Sequence, residues 1–164
     1  MIFIIYYCSI SSASLEISDC KNLQGANLDG LDLQRALLSG ENLESASLIK
    51  TNLRSAELER ANLSNCNMTK ANLMNAWMDD AILKNALLCD ALIGDQLIRA
   101  NLENADLTGS RLYGADFTYA NLKGIKLLCK EIEKTKFNGA IYNGDTIFPD
   151  NFIPEQHGMK KASK

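Results

Sequence analysis

A chain of 164 residues has the length of a single domain. Its formal net charge of −3 at pH 7 is too mild to mark a nucleic acid or a polycation as partner. Its five cysteines, at 8, 20, 66, 89 and 129, match no zinc or redox spacing, and with two prolines no linker stands out.

The chain opens on an apolar run, MIFIIYYC at residues 1–8, followed by the small residues Ser9 to Ser14. Two readings stay open. One is a strand or helix that covers the bare end of a stack. The other is an export signal with Ser11 and Ala13 near a cleavage site, although no Lys or Arg precedes the run. The run is too short to cross a membrane as a helix. The first reading slightly favours a cytoplasmic location, the second a periplasm or thylakoid lumen. A Cys8–Cys20 bridge is compatible with a folded-back N-terminus.

From Lys21 the chain counts in fives: small, polar, apolar, polar, polar. Ala26-Asn27-Leu28-Asp29-Gly30 shows the unit, and Ala61-Asn62-Leu63, Ala71-Asn72-Leu73, Ala100-Asn101-Leu102 and Ala120-Asn121-Leu122 repeat it. The apolar centres run from Leu23 in steps of five to Ile93. One four-residue step follows, from Ile93 to Leu97 or from Ile98 to Leu102. The count then continues through Leu107, Leu112, Phe117, Leu122, Leu127, Ile132, Phe137, Tyr142 and Ile147. A helix repeats at 3.6 residues and a strand at 2, so neither explains the pattern. A chain that turns a corner once per unit does, and a fixed period of this kind marks a stacked fold.

These units resemble the pentapeptide-repeat family, whose consensus is A(D/N)LXX, over residues 21–147. The resemblance implies an all-β fold, a right-handed quadrilateral β-helix with 20 residues per coil and the Leu and Ala positions pointing inward. About six coils at the ~4.8 Å strand spacing give a rod roughly 30 Å long. Residues 20 apart then stack. Cys66 falls in a column with Ala26, Ala46 and Ala86 and reads as a small buried filler. Arg60, Asp80 and Arg99 align, as do Lys50, Lys70 and Asp90. Asn22, Asn42 and Asn62 form one amide ladder, and Asn52 and Asn72 another. Lys21 and Glu41 replace inward Ala and read as a pair near the N-terminal end.

After Phe137 the text changes to Ala140-Ile141-Tyr142-Asn143, Thr146, Phe148-Pro149, Phe152, Pro154 and Gly158-Met159. This resembles the closing segment of a subset of the family known from cyanobacteria and chloroplasts. Phe148, Phe152 and Ile153 are expected to cover the last core, with Pro149 and Pro154 stopping further β pairing. The expected organisation is an N-terminal cap or signal at 1–20, repeats at 21–147, and a C-terminal cap and basic tail at 148–164, frayed from Met159 on.

Nothing in the sequence carries catalysis, a cofactor or a metal. The one histidine, His157, is expected on the surface beyond the fold. Glu57/Glu59 and Asp79/Asp80 read as solvated carboxylates on a convex face. Asn62-Leu63-Ser64 and Asn67-Met68-Thr69 match the glycosylation pattern, but the repeat itself generates such matches. The expected role is a non-enzymatic protein–protein interaction or scaffold module whose partner the sequence does not name, with a homodimer compatible. The candidate contact site is an apolar belt, Trp77, Ile82, Leu87 and Leu92, at the position before the centre in four successive units, where Asn or Asp is usual. The resemblance implies one alternative, since some family members mimic duplex DNA and bind type II topoisomerases. That requires a continuous acidic stripe, and here the candidate columns alternate in sign, with Glu59 over Asp79 the only clear acidic step.

Overall fold

The computed structural model describes residues 23–162. Over most of this span each unit is a short extended side followed by a tight corner. At the corner the second residue after the centre has positive φ: Gly25 (67°), Gly30 (67°), Arg35 (60°), and so on at every fifth residue to Asp90 (57°). The main-chain N–H of the next inward residue donates back to the centre's carbonyl, as Ala26 does to Leu23 at 3.0 Å. A left-handed residue at the third turn position is the geometry a type II turn requires. That corner is why the period is five.

Each side pairs in parallel with the side one coil on. The bridges join Asn27 to Ser47, Asp32 to Asn52, Leu37 to Glu57 and Asn42 to Asn62, each 20 residues apart, and these four columns are the four sides of the coil. Within a unit the N–H before the centre donates to the preceding coil (Ser47 to the Ala26 carbonyl, 2.9 Å). The N–H groups of the centre and the corner donate to the following coil (Leu28 to Ser47, 2.7 Å; Gly25 to Glu44, 2.8 Å). Main-chain polar groups are thus satisfied between coils while every centre faces inward.

The core is a set of stacked columns. Leu43, Leu63, Leu83, Leu102 and Leu122 form one, all with no solvent exposure, and Ala61, Ala81, Ala100 and Ala120 line it. Cys66 is buried in its Ala column as expected, and its thiol donates to the Leu43 carbonyl. Where a hydroxyl takes the inward position it bonds the main chain: Thr51 to Leu28 O at 2.8 Å, Ser110 to Leu107 O at 2.7 Å.

Longer strands occur where the count falters. β1 (Asn72–Leu73), β2 (Leu92–Gln96) and β3 (Arg111–Asp116) form a parallel sheet in that order. β2 runs as a strand from Leu92 to Gln96 and none of its described residues has positive φ, so the corner between Ile93 and Leu97 is missing. Leu97 is buried and Ile98 half-buried, which places the short step at Ile93 to Leu97. The bridges there change from 20 to 19 residues, as in Trp77 to Gln96, and the β2–β3 register shifts between Gly94 and Gln96.

The downstream end departs from the expected count. Ile132 is only half-buried, because residues Ile132–Lys134 form a 3₁₀ turn after Glu131 takes a left-handed φ of 62°. Ile147 is 45% exposed, and its main chain bridges Lys126 across 21 residues. One extra residue in the step from Tyr142 puts Ile147 in the outward position, and Phe148 packs on the core instead. Ile153 is likewise exposed. His157 is half-buried rather than free on the surface: it stacks on Phe152 at 4.4 Å. It closes the second 3₁₀ turn, Pro154–His157. Met159 is buried, and β5 (Lys160–Lys161) pairs in parallel with β4 (Ile141–Tyr142), so this stretch is not frayed. Phe117 and Phe137 stack at 5.5 Å, and Phe152 meets Phe137 edge-on at 5.6 Å. The Tyr142 hydroxyl donates to Glu155 Oε1. The readings that concern residues 1–22, namely the apolar run, Cys8, Cys20, Lys21 and Asn22, lie outside the described residues.

Candidate interaction surface

The outward position before each centre has a local job that explains its preference for Asn and Asp. Its side-chain oxygen accepts the main-chain N–H two residues on, holding the corner: Asn27 from Asp29 (3.0 Å), Asn62 from Ser64 (3.1 Å), Asn101 from Glu103 (3.2 Å), Asp116 from Thr118 (3.0 Å). Several of the same amides bond along the stack. Asn62 Nδ2 donates to Asn42 Oδ1 (3.2 Å), Asn121 to Asn101 (3.0 Å), and Asn52 to Asp32 (2.7 Å).

Trp77, Ile82, Leu87 and Leu92 occupy that position in four successive units and cannot make this bond. Trp77 is 45% exposed, Ile82 41% and Leu87 44%; Leu92 is half-buried within β2. They stand on four different sides of the rod, each bridged to polar residues on the coil before it: Glu57, Asn62, Asn67 and Asn72. The belt therefore encircles the rod rather than forming one flat patch. A further exposed apolar residue at the same position, Leu37 at 49%, lies on the side of Trp77 two coils earlier. The signal for it was already present, an apolar residue where Asn or Asp is usual.

Charge is distributed unevenly along the stack. Among the described residues every ion pair has its basic member at residue 84 or later. Lys84 pairs with Glu103 (3.2 Å), Arg111 with Glu131 (3.8 Å), Lys126 with Asp106 (2.9 Å) and Lys136 with Asp116 (3.1 Å). Arg99 grips Asp80 with two bonds of 2.7 Å, Nε to Oδ1 and Nη2 to Oδ2. That guanidinium, with the field of Arg60 added, holds the Asp80 carboxyl below the usual range. Partial burial pushes Asp106 and Asp116 up, but the Thr108 and Thr118 bonds and the Lys126 and Lys136 ammonium groups outweigh it, and both end low.

Burial pushes the Cys66 thiol up to about 11 and the Cys129 thiol to about 12, which makes both poor nucleophiles. No group of three or more His, Cys, Asp or Glu that could hold a metal occurs among the described residues. No helix among them is long and apolar enough to cross a membrane.

Sides stacked in parallel, an inward Leu and Ala, and an outward Asn define a repeat solenoid, a class that presents surface rather than a cavity. The sequence matches the family model described as pentapeptide repeats, eight copies long, over residues 22–54, 46–85 and 96–127. That is more than half of the chain, which belongs to the pentapeptide-repeat family. The fold is accordingly the right-handed quadrilateral β-helix. Proteins of this kind are generally structural or binding modules. Among solved structures, trypsin-treated QnrB1, a plasmid-mediated fluoroquinolone resistance protein, superposes with a TM-score of 0.71 at 17% identity, covering 86% of this chain and 77% of that one. A pentapeptide repeat protein from the Arabidopsis thaliana thylakoid lumen is 25% identical over 63% of this chain and 69% of that one, with a TM-score of 0.43. No curated protein matches the sequence.

Proposed function

We propose that this protein is a non-enzymatic protein-binding module, a rod of about six coils with a C-terminal cap, whose contact site is the belt at Trp77, Ile82, Leu87 and Leu92. The observation that carries this reading is the run of apolar side chains in four successive units, three exposed and Leu92 half-buried, at a position where Asn or Asp would hold the corner. Large apolar groups kept in solvent where a polar residue has a structural use point to a contact. Aromatic anchors such as Trp77 dominate contact energies.

The test is affinity capture from the native cell with the wild-type chain and with Trp77→Asn/Leu87→Asn. Both replacements restore the usual side chain, so the fold is expected to persist. Captured partners, or the elution volume of a homodimer, are expected to change. Unchanged partners and an unchanged elution volume would remove the belt as a site. Mimicry of duplex DNA toward a type II topoisomerase is the alternative. Asp80, Asp106 and Asp116 are each neutralised by a basic residue one coil on, which breaks an acidic stripe. Inhibition of gyrase by the purified protein would restore that alternative.

A further inference from the structure

Trp77 differs from the rest of the belt in its surroundings. Its side of the rod carries Leu37, Glu57, Trp77, Gln96, Asp116 and Lys136 in order, each bridged to the next. Leu37 and Trp77 are both exposed and stand two coils apart, about 10 Å at strand spacing. Glu57 lies between them. On the adjoining corner Glu59 and Asp79 occupy successive coils. Glu59 accepts from the Ser39 hydroxyl at 2.6 Å, and Asp79 Oδ1 accepts the Ile98 N–H at 2.9 Å.

None of these three carboxylates has an ion-pair partner among the described residues, whereas Asp116 further along the same side is paired with Lys136. The basic residues of that corner are turned to another use: Arg99 is committed to Asp80, and the field of Arg60 also falls on Asp80. Two exposed apolar anchors thus alternate with carboxylates that form no ion pair, although the field of Asp79 also reaches Arg99.

We infer that this side binds an extended basic segment of a partner protein. A lysine or arginine of that segment lies over the Trp77 ring and between Glu57 and Asp79, and an apolar side chain about three residues away packs on Leu37. The indole face and the carboxylates attract the same cation. An extended chain covers ~10 Å in about three residues. The inference rests on the binding-module reading and adds the class of partner.

The chain contains one tryptophan, so Trp77 fluorescence reports this spot alone. The full chain is titrated with the synthetic peptide acetyl-Leu-Ser-Ser-Arg-Ser-Lys-amide and with a counterpart carrying Glu in place of Arg and Lys. The basic peptide is expected to give a saturable emission change that weakens severalfold as salt rises from about 0.05 to 0.3 M. The Glu57→Gln/Asp79→Asn variant, which keeps an acceptor for Ile98, is expected to bind about tenfold more weakly. Leu37→Ser provides a second variant, expected to weaken binding without altering charge. A missing response to the basic peptide, an equal response to the acidic one, or full affinity in both variants overturns the inference. If captured cellular partners still depend on Trp77 in that case, the binding-module reading stands and only the partner class falls. If they do not, both fall.

Discussion

Upstream of Gly94 the rod repeats without interruption. From Leu23 on, every unit has five residues, every corner has its left-handed residue, and hydroxyls hold Glu59 (from Ser39) and Asp29 (from Ser47, 2.6 Å). Downstream the step lengths vary, a 3₁₀ turn replaces one corner, aromatic rings replace Leu in the core, and ion pairs bind one coil to the next. The difference shows that the repeat needs little beyond its own main-chain bonds and Leu columns. Departures from it are held by stronger, more individual contacts.

The largest effect expected from breaking that contrast comes from the aromatic stack. Phe137→Ala removes the ring that meets Phe117, Phe152 and His157 and should cost about 3–5 kcal/mol, read from a denaturant midpoint. Amide exchange should rise first downstream and leave the upstream coils protected, if the two regions separate as local unfolding units. Gly139→Ala comes next. Gly139 has a φ of 70°, and an added Cβ would come within 2.5 Å of the Tyr119 ring. The backbone part alone is about 1–2 kcal/mol, and Tyr119→Ala in the same chain should recover the clash but not the backbone part.

Buried hydroxyls sharpen the comparison. Thr51, upstream, donates to Leu28 O, whereas the buried Thr135 hydroxyl, downstream, has no partner among the described residues. Thr51→Ala is expected to lose about 1 kcal/mol and Thr135→Ala to gain a similar amount in thermal melts. Trp77→Asn should be neutral or gain about 0.5–1 kcal/mol, because the new amide can accept the Asp79 N–H.

The smallest effect is electrostatic. The Asp80, Asp106 and Asp116 carboxyls sit below their unfolded values. Their contribution is therefore complete above about pH 5 and is lost as pH falls through the folded values. Asp80 and the basic partners of all three are well exposed, so solvent screens the pairs and the expected signature is a modest fall in Tm between about pH 5 and 2. The fall should shrink when Arg99, Lys126 and Lys136 are changed to Gln.

The regular part was legible because each residue's role repeats. The Leu columns and the Cys66 filler follow from spacing once the resemblance supplies a 20-residue coil, whereas spacing left the short step open between two units and the burial of Leu97 places it after Ile93. Legibility fails at the downstream end, where no further coil enforces register. Counting fives selects Ile147, but an extra residue after Tyr142 hands the inward place to Phe148. His157 and Met159 look like tail because no period includes them, yet aromatic stacking and burial against the last core hold both. The contact surface was partly legible. The four belt residues broke the Asn/Asp habit, and so did Leu37; with four units per coil, as the resemblance implies, the four already fall on one full turn, and the bridges place them on four sides. Spacing does not show that Glu57, Glu59 and Asp79 form no ion pair among the described residues while Asp80 beside them does.

The missing corner between Ile93 and Leu97 has a consequence for how such a gene can change length. The lost residue is absorbed within the bend, and the sides beyond it still pair in parallel with those before it. A codon removed there alters one bend and leaves every later column aligned. A codon removed from a side would turn Leu outward in its own unit. The corners are therefore the places where this kind of gene can gain or shed single codons without rewriting the protein that follows.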